Sequence, residues 1–227
     1  MSTPESHLAL YFDAPLQSWG HQSRFDRRTT LPYPTRSGVL GLLCAALGID
    51  RHDTAGLARL AGLRLTVVAL RQHGRLVDYQ TVGGRYNEKR DHQHISRRAT
   101  GDVGDTVQTR REYLEDARHG AVVSGPHALV AELSAALANP RWGVWLGRKA
   151  CIPASPVSQG VFDSETEALS RLQQVSGATV VERTVREVTA FADGDDTLMD
   201  VPLDFSPNAR RFGPRRVSYA GAVAGMS

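Results

Sequence analysis

A basic and hydroxyl-bearing segment, Pro34-Thr35-Arg36-Ser37-Gly38, stands directly before an apolar run with helical spacing. A helix N-terminus has unpaired N–H groups and partial positive charge, so it can bind a phosphate, and Arg36 and Ser37 would add contacts. An ordinary helix cap with Arg36 in solvent accounts for the same residues. The segment therefore predicts either a phosphate site or a cap.

Aromatic and basic residues alternate farther along the chain, at Trp142, Trp145, Arg148 and Lys149. An aromatic ring can stack on an unpaired base while the cations hold the RNA backbone. The competing interpretation is that one of the two tryptophans packs in the core. The same two alternatives apply to Thr109-Arg110-Arg111-Glu112-Tyr113.

Catalytic chemistry has weaker support. Tyr86, Lys89, His92 and His94 supply the groups of a metal-independent ribonuclease within nine positions, which leaves RNA cleavage open. His92 and His94 without neighbouring cysteines are a weak metal signal, so we expect no metal and no cofactor. The motifs G-x-S-x-G, G-x-x-x-x-G-K-[ST] and G-x-G-x-x-G are absent, and Cys44 and Cys151 are expected to be structural.

The charge is distributed unevenly. The chain has 227 residues and a net charge of +3, with 27 Lys and Arg, of which only Lys89 and Lys149 are lysine. Residues 152–204 hold ten acids against three arginines, whereas the chain after Asp204 has Arg210, Arg211, Arg215 and Arg216 unopposed. Arginine pairs with phosphate and stacks on bases, although a GC-rich genome would raise its frequency too. The pattern favours one basic face, one acidic face and a nucleic-acid partner.

These residues must be positioned by elements that alternate between strand and helix. Apolar patterns and turn signals predict five strands and helices before residue 79, then a polar arm at 79–116, then further elements. The predicted strands are 7–12, 63–70, a short one after a turn at 74–78, 117–124, 142–146 and 178–188, and the predicted helices are 37–48, 53–60, 126–139 and 166–174. This order indicates an α+β fold with an antiparallel sheet and a less regular C-terminal third.

The length fits one domain. The longest nearly uncharged apolar stretch, 39–49, is far shorter than the roughly 20 residues of a membrane-spanning helix, and no signal peptide is evident. We therefore expect a cytoplasmic protein with no membrane partner.

Several motifs in the same order resemble the CasD family, whose members hold the 5′ handle of the CRISPR RNA in the type I-E Cascade complex. The motifs extend from residue 8 to about 160; they are QSWG at 17–20, PTRSGVLGLL at 34–43, LGI at 47–49, DYQTV at 78–82, REYL at 111–114 and LGRKACIP at 146–153.

The resemblance implies a single domain over residues 1–227. Its fold would be ferredoxin-like, of the RNA-recognition-motif type, with helices on one face of an antiparallel sheet. A thumb would be inserted at about 79–116, and a C-terminal extension would begin at about 160.

The resemblance also implies a non-catalytic role. The partners would be the CRISPR RNA, the Cascade backbone subunit whose filament the protein caps, and the Cascade large subunit, with target DNA contacted indirectly through the complex. The alternative is a metal-independent endoribonuclease that processes repeat RNA, as in a relative with a Tyr–Lys–His set. Here Ala150, not histidine, follows Lys149, which favours the binding role.

Motif positions predict the RNA-binding residues. Arg28, from the arginine-rich connection before the helix, is added to this set. The residues are Gln17, Arg28, Arg36, Ser37, Arg111, Trp145, Arg148 and Lys149.

Overall fold

The computed structural model describes residues 4–21, 26–71, 74–82 and 107–221. Within them the chain forms eleven strands, four α-helices and a short 3₁₀ helix, Phe191–Asp193. The strands are β1 Glu5–Asp13, β2 Leu16–Gln17, β3 Arg27–Arg28, β4 Arg64–Arg71, β5 Gly74–Val82, β6 Val107–Glu115, β7 Arg118–Pro126, β8 Ser158–Phe162, β9 Arg183–Val188, β10 Asp196–Asp204 and β11 Arg211–Ala220. The helices are α1 Arg36–Leu47, α2 Thr54–Arg59, α3 His127–Ala138 and α4 Glu165–Ser176.

A seven-stranded antiparallel sheet organises the molecule, in the order β10-β11-β9-β4-β7-β1-β8. β1 is buried on both faces because its side chains alternate between two clusters. Leu8, Leu10 and Phe12 join the main core with α1 and α3, whereas Ala9 and Tyr11 pack with α4. The α+β class with an antiparallel sheet is confirmed.

Local signals account for the ends of α1. The Thr35 side chain accepts a hydrogen bond from the Gly38 N–H at the start, and Gly48 adopts a left-handed conformation, φ 76°, at the end. A β-carbon at Gly48 would be strained there, which is why glycine terminates the helix. The prediction of a helix over 37–48 is thus confirmed to within one residue.

The predicted polar arm begins and ends as a hairpin. β5 pairs with β6 in antiparallel register from Gly74–Glu115 to Val82–Val107, and β2 and β3 lie on the other edge of β6. Residues 83–106, with Tyr86, Lys89, His92 and His94, lie outside the described residues.

Two predictions about regular structure are wrong. Residues 142–146 form a loop, because the N–H groups of Arg141 and Trp142 donate to Ala46 and Ala45 at the C-terminal end of α1. The C-terminal third is regular, since β8, β9, β10 and β11 all join the main sheet, although β9 starts at Arg183 rather than at 178.

None of the helices in the described part of the chain is both long enough and apolar enough to cross a membrane.

Candidate nucleic-acid interface

A basin of about 740 Å³ lies along α1, between the loop 141–150 and the connection from β10 to β11. Four arginines line it against a single acid, Asp50. The basic side chains are Arg28, Arg51, Arg148 and Arg210, and the larger apolar ones are Leu42, Ile49, Trp142, Trp145, Phe205 and Phe212.

Folding brings four of the predicted residues together at this basin, namely Arg28, Ser37, Trp145 and Arg148. Arg111 lies beside them, because β3 and β6 pair Arg28 with Arg111, and its Nε donates to the Thr109 hydroxyl. Lys149 is exposed and follows Arg148 in the same loop. Side chains from four separate segments thus converge on one side of the molecule.

The loop that carries the tryptophans is fixed by its backbone. Ser18 N–H donates to the Leu146 carbonyl at 3.0 Å, and Leu146 N–H donates to the Cys151 carbonyl at 2.8 Å. Gly147 has φ 98°, and a β-carbon there would collide with the Ser18 carbonyl, so the close approach requires glycine. Trp142 and Trp145 remain 43% and 37% exposed, so neither is the core residue that the competing interpretation expected.

Arg148 both lines the basin and holds its wall. Its guanidinium lies 4.6 Å from the centre of the Tyr113 ring and donates to the carbonyls of Glu112 and Arg28, each at 2.9 Å. These contacts join the loop to β6 and β3. Arg148 therefore positions Arg28 as well as adding positive charge.

Arg36, which was predicted to contact RNA, lies inside the protein. Its side chain is buried, with NH1 2.7 Å from Glu187 and NH2 donating to the carbonyls of Ala61 and Leu63. Burial lowers the pKa of the guanidinium, and Glu187 acts in the opposite direction. The prediction of Arg36 as a phosphate ligand is corrected, because the side chain is buried and the neighbouring acid and carbonyls already bind NH1 and NH2.

The helix mouth is occupied by the protein itself. Asp200 accepts the Arg36 N–H at 2.7 Å, and Thr35 accepts the Gly38 N–H at 3.2 Å. The Asp200 carboxylate thus binds at the helix N-terminus, where the sequence predicted a phosphate. The alternative of an ordinary cap is correct, except that Arg36 is not in solvent.

Gln17 is likewise internal. Its amide N–H groups donate to the carbonyls of Phe12 and Ala117, and its oxygen accepts the Trp19 indole N–H and lies 2.9 Å from His119 Nδ1. The residue is fully buried, so the prediction that it contacts RNA is corrected: the QSWG motif builds the core beneath the basin.

Catalytic and metal chemistry gain no support from the described residues. Burial raises the pKa of Cys44 to about 11 and also raises the pKa of Cys151, which keeps both thiols protonated near neutral pH. In the described ranges no three His, Cys, Asp or Glu side chains are grouped to hold a metal ion.

Some basin residues were not predicted. Arg51, Arg210, Phe205 and Phe212 come from loops and from β11, far in sequence from the motifs. The unopposed basic run after Asp204 was the signal for Arg210, but only the position of β11 in the sheet brings it to α1.

The chain is similar in sequence to known CRISPR-associated proteins. A family model described as CRISPR-associated protein (Cas_Cas5) matches residues 7–218. The CRISPR system Cascade subunit CasD of Escherichia coli (strain K12) is 32% identical over 222 residues, covering 88% of this chain and 92% of that protein.

Solved structures are similar over nearly the whole chain. A chain from a CRISPR RNA-guided surveillance complex superposes with a TM-score of 0.77 and 33% identity, covering 94% of this chain and 89% of that one. A second, a crystal structure of a Cas protein, gives a TM-score of 0.66 and 29% identity, covering 94% and 93%. The resemblance indicated by the sequence motifs is thereby confirmed, and the chain belongs to the CRISPR-associated Cas_Cas5 family.

Proposed function

We propose that this protein is a non-catalytic subunit of a type I-E CRISPR surveillance complex and binds the 5′ handle of the CRISPR RNA in the arginine-lined basin. It would cap the backbone filament and contact the large subunit, so that target DNA is met only through the complex. The observation that carries the proposal is the convergence of four arginines and two exposed tryptophans on one basin. The similar relative is itself a Cascade subunit.

The chemistry of the basin suits single-stranded RNA. Trp142 and Trp145 offer ring surface to unpaired bases, and such stacking contributes about 1–3 kcal/mol for each base. Arg28, Arg51 and Arg210 can each pair with a phosphate. Arg111 and Lys149, at the margin, stay predictions as further contacts.

We also propose that the main sheet contains a ferredoxin-like domain. The pattern β1-α1-β4-β7-α3-β8 gives two βαβ units, and their strands lie in the order β8-β1-β7-β4. This is the antiparallel order that the ferredoxin-like class requires. β9, β10 and β11 extend the sheet beyond β4, and the hairpin β5–β6 forms the base of the proposed thumb at about 79–116.

The test compares two variants that each lose three arginines. One carries Arg28→Ala, Arg51→Ala and Arg210→Ala in the basin; its control carries Arg59→Ala, Arg64→Ala and Arg171→Ala, which lie elsewhere. We expect the basin variant to bind labelled handle RNA at least about 10-fold more weakly, whereas the control binds as the wild type does. Equal affinities for the two variants would refute the proposal.

The endoribonuclease alternative is tested separately. Purified protein is incubated with repeat RNA in EDTA, and the products are resolved on a gel. We expect intact RNA. Cleavage that His92→Ala with His94→Ala abolishes would replace the non-catalytic role. The cytoplasmic location proposed for the complex is tested by fractionating host cells.

A further inference from the structure

The main sheet has a second face, opposite α1, that the described structure covers only in part. α4 packs there on β1, β7 and β8, and its Glu165 reaches Arg186 of β9. Beyond that point, the only described helix on the face is the 3₁₀ helix 191–193, which contacts β11.

Apolar side chains of β10 point to this face. Leu198 and Asp200 are buried towards the core, and Asp200 bonds the α1 N-terminus, so Met199 between them points the opposite way. Leu203 lies in the same way between the buried Pro202 and Asp204. Leu203 is 53% exposed and Met199 is 42% exposed.

Phe191 lies against Arg216 of β11 and is held in a fixed position. It is 75% exposed, and the Arg216 guanidinium lies 4.1 Å from the centre of its ring. Arg216 donates to the carbonyls of Phe191 and Gly194 and to the Thr197 hydroxyl. An exposed aromatic ring that is already oriented suits an anchor at a protein interface.

The charge around Phe191 identifies the kind of partner. Asp193 and Asp195 are exposed and, within the described part of the chain, form no ion pair with lysine or arginine, whereas Asp196 accepts the Tyr219 hydroxyl on the α1 side of the sheet. Arg216 is engaged by carbonyl groups. Two carboxylates beside one cation attract a basic partner and repel the phosphates of RNA.

We infer that Phe191, Met199 and Leu203 form a docking surface for a protein segment that presents an apolar side chain flanked by lysine or arginine. Apolar contact with these side chains would supply affinity, and Asp193 and Asp195 would select the basic partner. The inference rests on the proposed function, because the partner is sought within the same RNA-containing complex. The surface is separate from the basin, since the sheet lies between them.

Photo-crosslinking in the intact, purified complex tests this. One sample carries Phe191→benzoylphenylalanine, and a second carries Trp142→benzoylphenylalanine in the basin. We expect position 191 to crosslink a peptide of another protein subunit that contains lysine or arginine, and position 142 to crosslink RNA. A crosslink from 191 to RNA, to a second copy of this chain or to nothing overturns the inference, whereas failure at 142 alone counts against the proposed function.

Charge reversal provides the matched control. Asp193→Lys should reduce the crosslink yield at position 191 at least 5-fold, because it places a cation against the basic segment. Asp163→Lys makes the same change beside β8, at the opposite edge of the sheet, and should leave the yield unchanged. Equal yields for the two variants overturn the charge selection that the inference requires.

Discussion

Buried polar residues support the basin from below. Gln17 links the carbonyls of Phe12 and Ala117 to the Trp19 indole. Each buried donor would cost about 1–3 kcal/mol if left unpaired, so this network fixes the conformation of the QSWG segment. Residue type and motif position alone could not separate this role from RNA contact, because burial is decided by strands 100 residues away.

The titration of His119 makes the unfolding free energy depend on pH. It is fully buried, its Nε2–H donates to the Pro32 carbonyl, and burial lowers its pKa to about 4, against the opposing effect of that hydrogen bond. The unfolded chain binds a proton near pH 6.5, whereas the folded chain does so only near pH 4, so the unfolding free energy falls as pH drops through this range. At about 1.4 kcal/mol for each pH unit, the loss is about 3 kcal/mol.

Chemical denaturation at pH 7 and pH 4 measures this loss. His119→Gln removes the titration and keeps an N–H donor for Pro32, so the variant should lose about 3 kcal/mol less than the wild type over the same range. The exposed His52→Gln serves as the control and should keep the wild-type dependence. The same pH dependence in all three proteins would contradict the assignment.

Elements with strong end signals could be predicted. α1, α2 and α4 are capped by Thr35, Asp53 and Ser164, whose side chains accept hydrogen bonds from N–H groups in the first turn. The conformation of the loop 141–150 could not be predicted, because its backbone bonds to α1 and to Ser18 rather than to a neighbouring strand. The alternation of buried and exposed residues in β10 and β11 could not be recognised from hydrophobicity. Two of the buried positions hold the charged residues Asp200 and Arg215, which pair with each other.

That pair predicts a large effect at one residue. Asp200 accepts Arg215 Nε at 2.6 Å and NH2 at 2.9 Å, and also accepts the Arg36 N–H. Asp200→Asn keeps the shape but leaves the buried Arg215 guanidinium without its carboxylate partner. We expect the unfolding free energy to fall by about 3–5 kcal/mol, as for a broken buried ion pair.

Urea denaturation of the full chain provides the measurement. The exposed Asp163→Asn, which removes the same charge, should change stability by less than about 0.5 kcal/mol. A loss at Asp200 no larger than that of the control would show that β10 does not anchor α1 through this carboxylate.

At the scale of the whole molecule, the charged residues of the acidic and basic segments lie in three places. Glu187 and Asp200 from the acidic stretch neutralise Arg36 and Arg215 inside the protein. Asp193 and Asp195 remain exposed beside Phe191, and the basin gathers basic residues on the α1 side of the sheet. The sequence indicated a basic and an acidic face. It did not indicate that some charged residues of each segment form ion pairs inside the protein.

This arrangement makes local rather than total charge decide RNA binding. The net charge is only +3, and charges more than about 8 Å apart are largely screened at physiological salt. The basin variant and its control each lose three positive charges. If the basin arginines contact phosphates, only the basin variant should change the salt dependence of binding, and its slope of log K against log salt should fall in magnitude by about 2. Fluorescence anisotropy of labelled handle RNA at four salt concentrations measures the slope; an equal fall in both variants would mean that long-range attraction, not phosphate contact, holds the RNA.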